Sequence, residues 1–71
     1  MGTNETKLSA MEEIHMSLVN GQRRQMVEQI DEYGVYDFWA DYKNYLKGLY
    51  FDKGLEYFAD AVISYHHIKN R

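Results

Sequence analysis

Cysteine and proline are both absent from this chain of 71 residues. The first absence removes disulfides, thiolate metal sites and cysteine nucleophiles together. The second leaves glycine as the main interruption to helix, because no ring locks φ or deletes a backbone donor. Long apolar runs are missing as well, since no stretch approaches the roughly 18 residues of a membrane span. Basic charge is in deficit, with 8 Lys and Arg against 11 Asp and Glu, a net charge of −3 and a pI near 5.5. Nucleic-acid-binding domains are usually basic, so this balance argues against a general nucleic-acid binder. The chain does not open with a basic segment followed by an apolar one, and the expectation is a cytoplasmic protein without a membrane segment. There is no Gly-rich phosphate loop, no nucleophile elbow and no Ser/His/Asp grouping. A chain this short also lacks the bulk for a closed, water-excluding cavity. The expectation is a protein that is not an enzyme and carries no cofactor.

What is present points to a packed helical domain. The apolar share is 45% and the aromatic share 15%, too high for a disordered chain. The chain carries 7 tyrosines, a residue that buries a ring while its hydroxyl stays wet, and so suits thin cores and contact surfaces alike. A chain of this size buries only about 60% of its unfolded surface. Without disulfides or a metal, good helix packing or self-association must supply the rest.

Ser9 followed by Glu12 fits a capping box, and Leu8, Met11, Ile14, Leu18 and Val19 recur at helical spacing. These features predict a first helix from about Ala10 to Val19, stopped by Asn20-Gly21. Residues 1–7 are expected to be disordered. Met1 to Thr6 matches a myristoylation pattern only loosely, with Glu5 inside it, and Asn4-Glu5-Thr6 is a sequon without secretory context. A second helix runs from Gln22 to Tyr33 through Met26, Val27 and Ile30, with Gly34 as its stop. Val35-Tyr36 then reads as a short link and Asp37 as the N-cap of a third helix. That helix carries the stripe Phe38, Trp39, Tyr42, Tyr45, Leu46 and Leu49. Asp52 is a candidate cap for a last helix, Lys53 to Lys69, with Leu55, Phe58, Ala59, Val62, Tyr65 and His66 on its principal apolar face. Tyr57, Ala61, Ile63 and Ile68 make that helix apolar on a second side, as for a helix with two neighbours, one of which could be another chain. The reading is one all-α domain over residues 1–71, a small bundle of three or four short helices.

Two spacings touch on metal chemistry. Glu12-x-x-His15 places two ligands on one helix face, but a di-iron bundle needs two such motifs and further carboxylates. His66 and His67 are adjacent and diverge by about 100° on a helix, which suits the negative end of its dipole better than a shared ion. No metal is expected, and His15 reads as a surface or packing residue.

The charge pattern is more informative. From Gln25 to Tyr42 the chain holds Glu28, Asp31, Glu32, Asp37 and Asp41 with no lysine or arginine, and it ends in a basic tail. Asp31 and Glu32 fall at the C-terminal end of the second helix, where the dipole disfavours anions. Two solvated faces would account for the pattern. The sharper reading makes Asp31, Glu32, Tyr33, Tyr36, Asp37, Trp39 and Asp41 a docking patch for a basic protein partner. The alternative from another class is a helix-turn-helix DNA binder, with Gln22, Arg23, Arg24 and Gln25 opening a recognition helix. The acids that follow would repel phosphate. A third possibility is a structural homodimer formed through the last helix.

In texture, the segment Asn20 to Gly34, NGQRRQMVEQIDEYG, with its aromatic continuation resembles small accessory proteins of bacteriophages and other mobile elements. The resemblance implies a short acidic protein that binds and modulates a host protein. It carries no specific motif and transfers no functional residue.

Overall fold

Gly21 and Gly34 divide the first half of the chain as their flanking patterns require. The computed structural model describes residues 3–50 and 52–70, with side chains from residue 8 onward, and contains no strand among them. Four helices follow in order: α1 Thr3–Val19, α2 Arg23–Tyr33, α3 Val35–Leu49 and α4 Gly54–Lys69. The protein is a small all-α bundle.

The α1–α2 turn follows from its glycine. Gly21 sits at φ +78°, a left-handed conformation that costs glycine nothing. Its N–H donates to Leu18 O at 3.1 Å, and the Gln22 N–H reaches back to Ser17 O at 2.8 Å. This paired closure is the Schellman pattern, and it satisfies carbonyls that the helix end would otherwise strand.

The α2–α3 junction is tighter than the sequence suggests. Gly34, at φ +110°, donates its N–H to Ile30 O at 3.0 Å and accepts the Phe38 N–H at 2.7 Å. One residue therefore ends α2 and begins α3. Val35 and Tyr36, expected as a link, are helical, and Asp37 lies inside the first turn instead of capping it. Its carboxylate still sits at the favourable end of the α3 dipole.

Two further expectations need correction. The helix α1 starts at Thr3, so Ser9 is an interior residue and the capping box with Glu12 does not form. Nothing in Thr3 to Lys7 breaks helix, so continuing the backbone ladder wins over a local side-chain cap. The expected disorder of residues 1–7 concerns a segment whose first two residues lie outside the described ones and whose remainder opens α1. In α4 the inward face is rotated from the expected one. Gly54, Ala61, Ser64 and Tyr65 are buried, with Tyr57, Phe58, Val62 and Ile68 half-buried, whereas Leu55, Ala59 and His66 face outward. Asp52 caps nothing with its side chain; only its carbonyl accepts, from the Leu55 N–H at 3.3 Å.

The core takes Met11, Ile14 and Leu18 from α1, Met26, Val27 and Ile30 from α2, Phe38, Tyr42 and Leu46 from α3, and Ala61 and Tyr65 from α4. The i, i+3/i+4 spacing is what sets each group on one face. Helices α3 and α4 approach closely at Gly54, where a Cβ would stand 3.1 Å from the Leu46 Cβ and 3.2 Å from its carbonyl oxygen. Alanine there would require Leu46 to give by a few tenths of an ångström.

Candidate functional site

The acidic stretch around Gly34 divides into an inward half and an outward half. Asp31 looks across to α4: its carboxylate accepts the Tyr65 hydroxyl at 2.7 Å and the Lys69 ammonium at 2.9 Å. These bonds, Tyr65 first and Lys69 second, hold its pKa below the ordinary carboxylate value. This clasp relieves the conflict of an acid at a helix C-terminus, because Lys69 brings the counter-charge. Tyr33 donates its hydroxyl to Asp41 at 2.7 Å, which ties the end of α2 to α3. Burial, reinforced by that carboxylate, pushes the Tyr33 phenol up to about 12. Trp39 is half-buried, its ring edge-on to Phe38, Phe58 and Tyr65 at centroid distances of 5.1, 5.8 and 5.7 Å.

Glu32, Tyr36 and Asp37 form the outward half. All three are exposed, and Tyr36 has 89% of its surface in solvent. Among the described residues none of the three makes a side-chain hydrogen bond or ion pair. The predicted docking patch is thus brought together around one junction, but of its exposed members Asp31 is bonded to α4, and only these three are left without a side-chain bond among the described residues.

The alternative DNA-reading residues lie at the start of α2. Gln22, Arg24 and Gln25 are exposed. Arg23 is committed elsewhere: its Nε donates to the Ser64 hydroxyl at 2.9 Å, and its Nη2 pairs with Asp60 at 3.4 Å. Arg24 shares its face with Glu28 and Glu32, four and eight residues on, so the stripe that would lie along a duplex turns acidic within one turn.

Sequence reasoning missed two places. The first is a tyrosine cage around His15, which is only 3% exposed. Its Nδ1 lies 2.8 Å from the Tyr42 hydroxyl and its Nε2 2.9 Å from that of Tyr50. Tyr45 and Tyr57 stand edge-on to the imidazole at 5.7 and 5.2 Å. A neutral imidazole fits this cage, with one nitrogen donating and the other accepting. Burial lowers the His15 pKa from 6.5 and keeps the ring neutral. With both nitrogens engaged, the ring offers no lone pair to a metal or a substrate. Its phase with Met11, Ile14 and Leu18 was the available signal, since positions 11, 14, 15 and 18 share one helix face. Among the described residues no cluster of three or more His, Asp or Glu is placed to hold a metal ion.

The second is an apolar cleft of about 350 Å³ between α3 and α4. Leu46, Tyr50, Gly54, Leu55 and Phe58 line it, with the exposed Lys43 and Lys47 at its rim. Leu55 is 72% exposed there. A lysine pair four apart was visible in the sequence, but the cleft depends on the close approach at Gly54, which no local pattern announces.

No protein-family model, curated protein or solved structure matches this chain.

Proposed function

We propose that this chain is a non-catalytic helical module that binds another protein through Glu32, Tyr36 and Asp37. The observation that carries the reading is the contrast among its tyrosines. Tyr33, Tyr42, Tyr45, Tyr50, Tyr57 and Tyr65 are all buried or half-buried, while Tyr36 alone stands 89% in solvent between two exposed carboxylates. Tyrosine is among the residues that most often anchor interfaces, and flanking charge steers a partner of opposite sign. The partner's surface is therefore basic, with an apolar recess for the ring. The rest of the acidic stretch supports this role indirectly: Asp31, Tyr33, Trp39 and Asp41 fix the junction, so the outward groups are presented on rigid backbone. In the accessory-protein reading, the module is borne by a phage or plasmid and modulates a host protein in the cytoplasm. No helix among the described residues is long and apolar enough to cross a membrane.

Affinity capture compares the native chain with Glu32→Lys/Asp37→Lys. Asp31 is left intact because its loss would open the clasp to Tyr65 and Lys69. The expected result is a protein with a basic surface patch retained by the native chain and lost from the variant. A partner held equally by both forms would remove the corner from consideration.

A further inference from the structure

The surface that Glu32, Tyr36 and Asp37 require occurs on this chain. The cleft between α3 and α4 is apolar within, at Leu46, Leu55 and Phe58, and carries Lys43 and Lys47 at its rim. Tyr36, Ala40, Lys43 and Lys47 follow one another at spacings of four, three and four residues, so they share the outer face of α3. All four are exposed.

We infer that the partner is a second copy of this chain, and that two α3 helices cross antiparallel so that each Tyr36 enters the other copy's α3–α4 cleft. This assignment rests on the functional reading above and names the partner. The register follows from the face itself. Tyr36 and Lys47 lie about 16 Å apart along the axis, and an antiparallel dyad between them sets each Tyr36 opposite the other copy's Lys47. Ala40 then faces the other copy's Lys43, and a methyl group at that point lets the axes close to roughly 8–10 Å. Asp37, beside Tyr36, and Glu32, at the end of α2, meet the two lysines. The same contact is made twice, so the arrangement closes at two copies and does not propagate. Charge complementarity selects this occupant. The rim is cationic and the segment around Tyr36 carries two exposed carboxylates, Glu32 and Asp37, whereas the exposed stripe of α4 through Ala59 and Ile63 offers one, Glu56, and no tyrosine.

Sedimentation equilibrium of the full chain, at concentrations spanning the micromolar to submillimolar range, tests the inference. The expected result is a rise from one to two chain masses, with association weakened by high salt because the pairing charges are exposed. Tyr36→Ala weakens association by roughly tenfold or more, as for a central aromatic anchor. Lys43→Glu/Lys47→Glu and Glu32→Lys/Asp37→Lys are each single chains alone, and mixing them restores the two-chain mass because both halves of the contact regain opposite charges. Circular dichroism checks that each variant keeps its helix.

One chain mass for the native protein throughout would overturn the inference, even if the native corner still captures a protein with a basic surface patch that Glu32→Lys/Asp37→Lys loses; the functional reading would then stand alone. A dimer untouched by Tyr36→Ala and broken by Ile63→Glu would also overturn it, as would masses growing beyond two chains.

Discussion

Tyr36 and Tyr42 lie six residues apart on one helix and have opposite fates. Tyr36 is 89% exposed, whereas Tyr42 is fully buried, with its hydroxyl on His15 and its ring stacked on Phe38 at 4.8 Å. The difference is helical phase. Six residues turn the helix by about 600°, which carries a side chain from the outer face to the inner one. The residue type is the same; its surroundings make one a core element and leave the other available for contact. The cage around His15 satisfies every polar atom it buries, and no buried side-chain nitrogen or oxygen among the described residues lacks a partner. The outward half of the corner, Glu32, Tyr36 and Asp37, leaves its polar groups to water. Stability is therefore expected to reside at Tyr42 and binding at Tyr36.

Truncating Tyr42 to alanine should break that contrast most severely. Loss of a large buried ring costs about 3–5 kcal/mol, a large fraction of what a domain of this size holds. Urea melts should show the midpoint falling far below that of the native chain, or no folded baseline at all. Tyr42→Phe separates the ring from its hydroxyl. It keeps the packing but strands the His15 Nδ1, at a cost of about 1–3 kcal/mol, readable in the same melts.

Acidity probes the cage without mutation. Burial depresses the folded-state pKa of His15, so the unfolded chain binds the proton more readily. That contribution to stability is complete above the unfolded value of 6.5 and is lost as pH falls through the folded one. The slope reaches at most about 1.4 kcal/mol per pH unit. Thermal melts from neutral to mildly acid pH should show this decline for the native chain. The groups facing the imidazole are the hydroxyls of Tyr42 and Tyr50 and the rings of Tyr45 and Tyr57, and His15 is the imidazole at the centre of the cage. At the other extreme, Tyr36→Ala should alter the stability of the single chain, measured in dilute solution, by no more than about 0.5 kcal/mol, as for an exposed residue without partners in its own chain. A larger loss would mean that Tyr36 supports the fold and that the two tyrosines differ less than their exposure implies.

Much of the fold was legible because its punctuation is backbone chemistry. Gly21 and Gly34 end helices where the sequence places them, since a residue free of a Cβ adopts their positive φ without strain. The inward positions of α2 and α3, from Met26 to Leu46, follow from apolar spacing. Local signals failed where a longer-range arrangement outweighed them. The Ser9 cap gave way to an uninterrupted ladder, and Asp37 lost its cap role because Gly34 needed no link after it. The α4 face was ambiguous in principle: apolar residues surround the helix, and its rotation is set by the approach of Gly54 to Leu46 and by the tyrosines around His15. For the corner, the sequence grouped the acids and rings correctly but could not tell those that clasp inward, such as Asp31 and Asp41, from those that face water. For Asp31 that distinction belongs to a contact across 34 residues of chain, with Tyr65; for Asp41 it belongs to the turn at Gly34, which brings Tyr33 back over α3.

Gly34 has a mechanical consequence. A lone residue between two helices works as a keyed coupling with no slack, so α2 dictates the azimuth of α3. Lengthening that joint by a single amino acid would turn everything downstream by about 100°, aiming Phe38 at solvent and wrapping a different stripe against the core. The longer loop from Asn20 to Gln22, where closing α1 and opening α2 fall to separate residues, carries no such indexing and is the natural place for evolution, or an engineer, to add length.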